Sequence, residues 1–470
     1  MTVHQIARIL PRKATSTDEA WTDDDFDRQS VGIMFKNLLL NTPSPTTIAL
    51  KADWGSGKTT FLRRVEKSLE KTAAVVFIDL WRADSGGDPL AVIANEIANA
   101  IKENRGQFAT LKAHVGSFAT LIADNAASVA ACAISVSGFA AGLPPSTSIL
   151  AATSAVSWFS AWNKEKKEAI DTLSQNLKKL AEIIQEKSEH PIVIVLDEFD
   201  RCRPDFAVQT LERIKHYFDT AGFTFVLAID DSAVASAVSG HYGGKLDGEK
   251  YLRRFFDFEF RLPPPSTKAV ALFAATRLLN FDGIDSSKAS SVLTSYWRNG
   301  LYNLLPNDDN DQPELLIIAL SAIFSDAMSL SVRDQLQATT LTFTLYRSKD
   351  AKNLIDAACL SFLCFARFGN LEKFRLFEAG DLDFQSLVGV FSGLARVNIC
   401  IYSYFIEFGA ALRMTHDEKS ARITSLSKQG RTEEDGFRRL GGMNAQYCGF
   451  GGKDGEQNLR KCFFDLNRLV

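Results

Sequence analysis

Two short runs in this chain carry residue types at spacings suited to holding and polarising phosphate groups. The first is Trp54-Gly55-Ser56-Gly57-Lys58-Thr59-Thr60. Glycine lets the backbone fold tightly with no Cβ in the way, so N–H groups from Gly55 to Thr60 would converge on phosphate oxygens. Lys58 would reach the β- and γ-phosphates, and Thr59 would place its hydroxyl on Mg²⁺. The usual pattern is G-x-x-x-x-G-K-[ST]; here Ala52 stands at the first glycine position.

The second run is Asp197-Glu198-Phe199-Asp200-Arg201-Cys202. Carboxylates at the end of a buried strand are where Mg²⁺ and an attacking water belong. Asp197 would hold the magnesium shell. Glu198 is the first choice for polarising the water, with Asp200 as the alternative. Three further positions belong with these. Asp230, after another apolar run, would sense the γ-phosphate or cap the helix that begins at Ser232. Arg253 and Arg254 would reach a neighbouring subunit's nucleotide or form surface salt bridges. Arg333 would point back to the nucleotide or lie on a helix surface.

These residues need elements to position them. Thr47–Lys51 and Ile192–Leu196 are short apolar runs of the kind found in parallel strands buried on both faces. Ala74–Leu80 and Phe223–Ile229 read the same way. A helical pattern through Phe61, Leu62, Val65 and Leu69 follows the glycine-rich turn, and an earlier one places Val31, Met34, Phe35, Leu38 and Leu39 on one face. Asp88-Pro89 opens a helix over Leu90–Ile101. The stretch between Lys58 and Asp197 far exceeds one strand–helix–strand crossover, so an insertion lies between them.

The segment Asn125–Asn163 carries no charged side chain; two apolar blocks, Ala126–Leu143 and Ser148–Trp162, flank Pro144-Pro145. Its length permits a membrane hairpin. Its Ala, Ser and Thr content suits a buried or partner-facing helical hairpin equally. Lys164–Glu189 is then an amphipathic helix with Ile170, Leu173, Leu177, Leu180, Ile183 and Ile184 on its apolar face. Beyond residue 266 the pattern is helical: Val270–Leu279, Lys288–Tyr296, Leu315–Phe324, a start at Ser331, Leu354–Phe368 and Phe384–Phe408. Residues 430–455 are rich in glycine and charge, and loops are expected there.

At 470 residues the chain is expected to hold more than one domain. The expected divisions are a polar segment over 1–30, a nucleotide-binding core over 31–111 and 164–265, a hairpin insertion over 112–163, a helical domain over 266–415 and a charged tail over 416–470. Composition is 46% hydrophobic and 23% charged, with a net charge of −3, so no global basic character argues for nucleic acid. The seven cysteines are scattered without a CxxC pair, which speaks against zinc and for reduced thiols. The first residues lack an apolar signal core, so a cytoplasmic location is expected, with inner-membrane association through 125–163 as the alternative.

In combination, WGSGKTT, the Trp81 strand end, LDEFDRC, FVLAIDD and YLRRFFDFEFRLPPP resemble the KAP family of P-loop NTPases over roughly residues 20–350. That resemblance implies an α/β fold with a parallel sheet and an additional strand between the P-loop strand and the acidic strand. It also implies a hairpin insertion between the two motifs and a helical C-terminal region. The implied activity is Mg²⁺-dependent ATP hydrolysis coupled to conformational change or assembly, with ATP and Mg²⁺ as ligands. A homo-oligomer or a partner protein is expected, in bacterial antiviral defence. The alternative is a nucleotide-gated scaffold or membrane-associated signalling module with little hydrolysis.

Overall fold

The computed structural model describes residues 20–390, except 23, 85–86, 104, 141–148, 219–220, 245, 279–312 and 349–353. The expected elements at Lys288–Tyr296, the end of Phe384–Phe408 and residues 430–455 lie outside the described residues. The described residues divide into two compact units, 20–263 and 264–390.

The first unit is built on five parallel strands: β1 (Thr46–Lys51), β2 (Val75–Asp79), β3 (Ile192–Asp197), β4 (Phe223–Ile229) and β5 (Phe258–Arg261). Their order is β2-β3-β4-β1-β5. The strand β4 therefore separates the glycine-loop strand β1 from the acidic strand β3, as the family resemblance implies. The register sets Lys51 beside Ile229 and Asp79 beside Asp197. The carboxyl ends of β1 to β4 thus share one edge, where ligands of open α/β sheets bind.

Alternation along the strands explains why both faces are covered. Ile48, Leu50, Val75, Phe77, Val193, Val195, Val226 and Ala228 face one layer. That layer holds α1 (Gln29–Asn41) and α2 (Lys58–Leu69), which contribute Phe35, Leu39, Phe61, Leu62, Val65 and Leu69. Ala49, Val76, Ile78, Ile194, Leu196, Phe225 and Leu227 face the other. Against them stand α4 (Pro89–Lys102), after the single turn α3 (Leu80–Ala83), then α7 (Pro204–Tyr217) and α8 (Asp231–His241). The α1 face differs from expectation: Met34 is 57% exposed. Gly32 takes its place on the buried side, because the Trp21 ring lies where a Cβ would stand.

The insertion is a pair of long helices, α5 (Phe108–Ala140) and α6 (Ile149–Ser188). The sequence suggested a break at residues 163/164, where charge begins; the helix runs straight through it, because Ala, Lys and Glu all favour helix and no Gly or Pro interrupts Ile149–Ser188. Leu111, Val115, Ala119, Ile122 and Ala126 of α5 share a core with Ile170, Leu173, Leu177, Leu180 and Ile184 of α6. That same core reaches α4 and the sheet. No helix among the described residues is long and apolar enough to cross a membrane.

The second unit is helical: α10 (Thr267–Phe273) with a π turn over Ala274–Leu278, α11 (Pro313–Met328), α12 (Val332–Arg347), α13 (Leu354–Gly369), α14 (Leu371–Ala379) and α15 (Phe384–Val390). Phe324, Phe343, Phe362, Phe365, Phe377 and Phe384 form its core. A buried polar seam runs through it: the Ser321 and Thr339 hydroxyls lie 2.6 Å apart, and Gln335 Nε2 donates to the Thr267 carbonyl at 2.7 Å.

Candidate functional site at the carboxyl ends of the strands

The glycine-rich turn leaves β1 and enters α2. Gly55 and Gly57 have φ of 81° and 88°, a left-handed conformation that only glycine adopts without strain. A Cβ on Gly57 would also approach Arg28 Nη1 to 3.3 Å. Ala52 lies outside the left-handed region, so a side chain at the first position strains nothing. Its N–H donates to the Ile229 carbonyl at 3.2 Å, continuing the β1–β4 ladder by one bond.

Lys58 is buried at the start of α2. Its Nζ donates to the Ala52 carbonyl at 2.8 Å and stands 3.7 Å from the Asp200 carboxylate. Asp197 ends β3 beside the Thr59 hydroxyl and the Glu198 backbone N–H, both of which favour its charged form. Burial is the strongest influence on Asp197 and holds its carboxyl above the usual range; these two polar neighbours pull the other way. A hydroxyl and a carboxylate brought near one another form an oxygen donor set suited to Mg²⁺, which takes few protein ligands and completes its shell from phosphate and water. Among the described residues no group of three His, Cys, Asp or Glu side chains forms a metal cage, and Mg²⁺ bound in this way needs none.

The three carboxylates after β3 face different ways. Asp197 meets Thr59 and Asp200 faces Lys58. Glu198, at φ 58°, instead pairs with Arg201 Nε at 2.6 Å. Residues 199–201 form one 3₁₀ turn, braced at its exit by Arg203, whose Nε donates to Asp84 at 2.9 Å. Asp230 takes the capping role and also reaches the glycine loop. Its Oδ1 caps α8, accepting from Ser232 N and Ala233 N, while Oδ2 accepts the Trp54 N–H at 3.2 Å. Burial works against its charge, but these bonds and the nearby Lys58 outweigh it, so its pKa falls below the ordinary value.

The remaining expected residues lie elsewhere. Arg253 and Arg254 follow the short helix α9 (Gly248–Leu252) and are exposed; Arg254 lies over the Tyr251 ring. Arg333 is in the first turn of α12, which Ser331 caps, in the second unit.

Three residues near the site escaped the sequence reading. Asp79 ends β2 beside Asp197 and caps α3; the register of two buried strands was the only signal for it. Arg201 had a weak signal, its i,i+3 spacing from Glu198. Arg28 had none. It is buried beneath the loop, with Nη1 donating to the Ser56 carbonyl at 2.8 Å and Nη2 to the Pro263 carbonyl at 3.0 Å. Burial pulls its pKa down to about 10, against the charge of Asp24.

A search of curated proteins found no match to the sequence. Residues 34–317 match the KAP family P-loop domain, a span that holds the glycine loop, the acidic strand end and the parallel sheet described above. The chain belongs to the KAP family of P-loop NTPases and carries a nucleotide-binding domain of that kind.

Proposed function

We propose that the protein is a Mg²⁺-dependent ATPase that couples binding and hydrolysis to conformational change or assembly. The observation that carries this reading is the meeting of the glycine loop and the acidic strand end: Lys58 Nζ lies 3.7 Å from the Asp200 carboxylate, and Thr59 neighbours Asp197. A nucleotide-bound Mg²⁺ would be held at that point. Lys58 would leave Asp200 for the β- and γ-phosphates, and Glu198 would orient the attacking water, with Asp200 as the alternative. Bound Mg²⁺ would supply charge neutralisation on the phosphate oxygens.

Arg253 and Arg254, exposed beyond α9, are proposed to act on the nucleotide of a neighbouring copy. Arg333 is proposed to act on the protein's own nucleotide. The biological setting we assign, bacterial antiviral defence with a partner protein, follows from the family resemblance of the motifs. A second reading, an ATP-gated switch with little hydrolysis, is favoured by the Glu198–Arg201 ion pair, which engages the water-orienting carboxylate.

The test is ATP turnover and ATP binding by purified protein, wild type against Lys58→Ala. Turnover that disappears in the variant supports the ATPase. Binding without turnover selects the switch. Turnover that survives the substitution overturns both.

A further inference from the structure

We infer that Arg201 is a positioning residue that latches Glu198 away from the attacking water, so that ATP turnover is held back until the latch opens. The inference rests on the reading of Glu198 as the residue that orients that water. Of Asp197, Glu198 and Asp200, Glu198 has a left-handed φ, 58°, and pairs with Arg201 instead of facing Lys58. The Arg201 Nε–Glu198 Oε2 distance of 2.6 Å makes a close ion pair on one oxygen of the carboxylate that the proposed function gives to the water.

Arg201 is itself held from two sides. Its guanidinium lies 5.7 Å from the Trp54 ring centroid and 5.3 Å from that of Trp81, within cation–π range of both. These rings are 55% and 54% exposed, although exposed indoles are disfavoured on a surface with no task for them. Trp54 belongs to the glycine loop, its N–H held by Asp230, while Trp81 follows β2. The latch therefore bridges two of the loops that border the nucleotide.

Magnitudes suit a latch rather than a structural brace. The side chains of Arg201 and Glu198 are 35% and 23% exposed, and such pairs contribute little to stability. The pair is short-range, within one 3₁₀ turn, and can open without disturbing the sheet.

The test compares steady-state ATP turnover and fluorescent-ATP binding in wild type, Arg201→Gln, Arg201→Lys, Trp81→Ala and the double variant Arg201→Gln/Glu198→Gln. The expected result is a kcat for Arg201→Gln about two- to fivefold above wild type with KM unchanged, the fold-change that an exposed ion pair converts to. Arg201→Lys should restore the wild-type rate, and the double variant should lose the gain. Trp81→Ala, at an exposed ring, should move kcat in the same direction and stands in if Arg201→Gln fails to fold. A folded, ATP-binding Arg201→Gln with kcat equal to or below wild type overturns the latch and makes Arg201 a support of catalysis. Absence of Lys58-dependent ATP binding in wild type overturns the proposed function and the latch together.

Discussion

Lys58 Nζ stands 3.7 Å from the Asp200 carboxylate, and both side chains are buried. With its second contact, to the Ala52 carbonyl, the lysine is engaged by its own surroundings, and phosphate must compete for it. Under the proposed function, Asp200 would then serve Lys58 and Glu198 would serve the water. Glu198→Gln should lower kcat by about 100-fold or more, the scale of lost general-base assistance. Asp200→Asn should act chiefly on ATP affinity, with a kcat loss under about tenfold. Steady-state kinetics with fluorescent-ATP titration decide the matter; a larger kcat loss in Asp200→Asn exchanges the two roles.

The Thr59 hydroxyl beside Asp197 leads to a prediction about magnesium. Thr59→Val keeps the shape and removes the hydroxyl. The Mg²⁺ concentration for half-maximal ATP binding should rise about tenfold, the cost of one hydrogen bond to a charged group. With EDTA present the variant and wild type should bind ATP alike. An unchanged magnesium midpoint would remove Thr59 from the metal site.

Lys51 offers a pH-dependent test at the base of the loop. Its ammonium lies 2.7 Å from Asp231 and 2.8 Å from Glu259, tying the end of β1 to α8 and β5. Burial lowers its pKa, but the two carboxylates outweigh burial and the net shift is upward. A raised folded-state pKa means that the contribution is complete below the unfolded value of about 10.4 and is lost as pH rises through the folded value. Lys51→Met should cost about 1–2 kcal/mol at neutral pH, at the low end for charged hydrogen bonds because both partners are partly solvated. Urea unfolding at neutral pH and above about pH 10 checks this; the gap between variant and wild type should narrow at the higher pH. A gap that is constant with pH would show that the charges do not matter.

The sequence made β1 to β4 and both chemical runs legible because buried parallel strands read as unbroken apolar runs, whereas the exposed edge strand β5 (FEFR) gives no such run. Phe223–Ile229 matches its expected bounds, and the Ile192 strand extends only to Asp197. What stayed hidden depends on backbone partners or on register. Arg28 bonds to carbonyls 28 and 235 positions away, and a carbonyl leaves no mark in residue identity. Asp79 gains its place from pairing with Asp197 in space. The α6 start was misplaced because charge begins at Lys164, while the helix itself, without Gly or Pro, begins at Ile149. Met34 was placed on the buried face because periodicity gives a stripe, whereas the Trp21 ring selects which edge of that stripe is covered.

Arg28 supplies the prediction with the widest reach. Its two terminal nitrogens hold the Ser56 carbonyl inside the glycine loop and the Pro263 carbonyl at the end of the first unit. Removing the side chain leaves two carbonyls without donors, at about 1–3 kcal/mol each, while relieving the burial of a cation. The net loss for Arg28→Met should be about 1–3 kcal/mol. ATP affinity should fall about tenfold as the loop loses its support. Arg28→Lys should rescue neither quantity, because one ammonium cannot reproduce the planar fork that spans both carbonyls. Urea midpoints and fluorescent-ATP titrations of the two variants measure both effects. If Arg28→Lys matched wild type in stability and affinity, a positive charge beneath the loop would be sufficient, and the two-carbonyl fork would not be what shapes it.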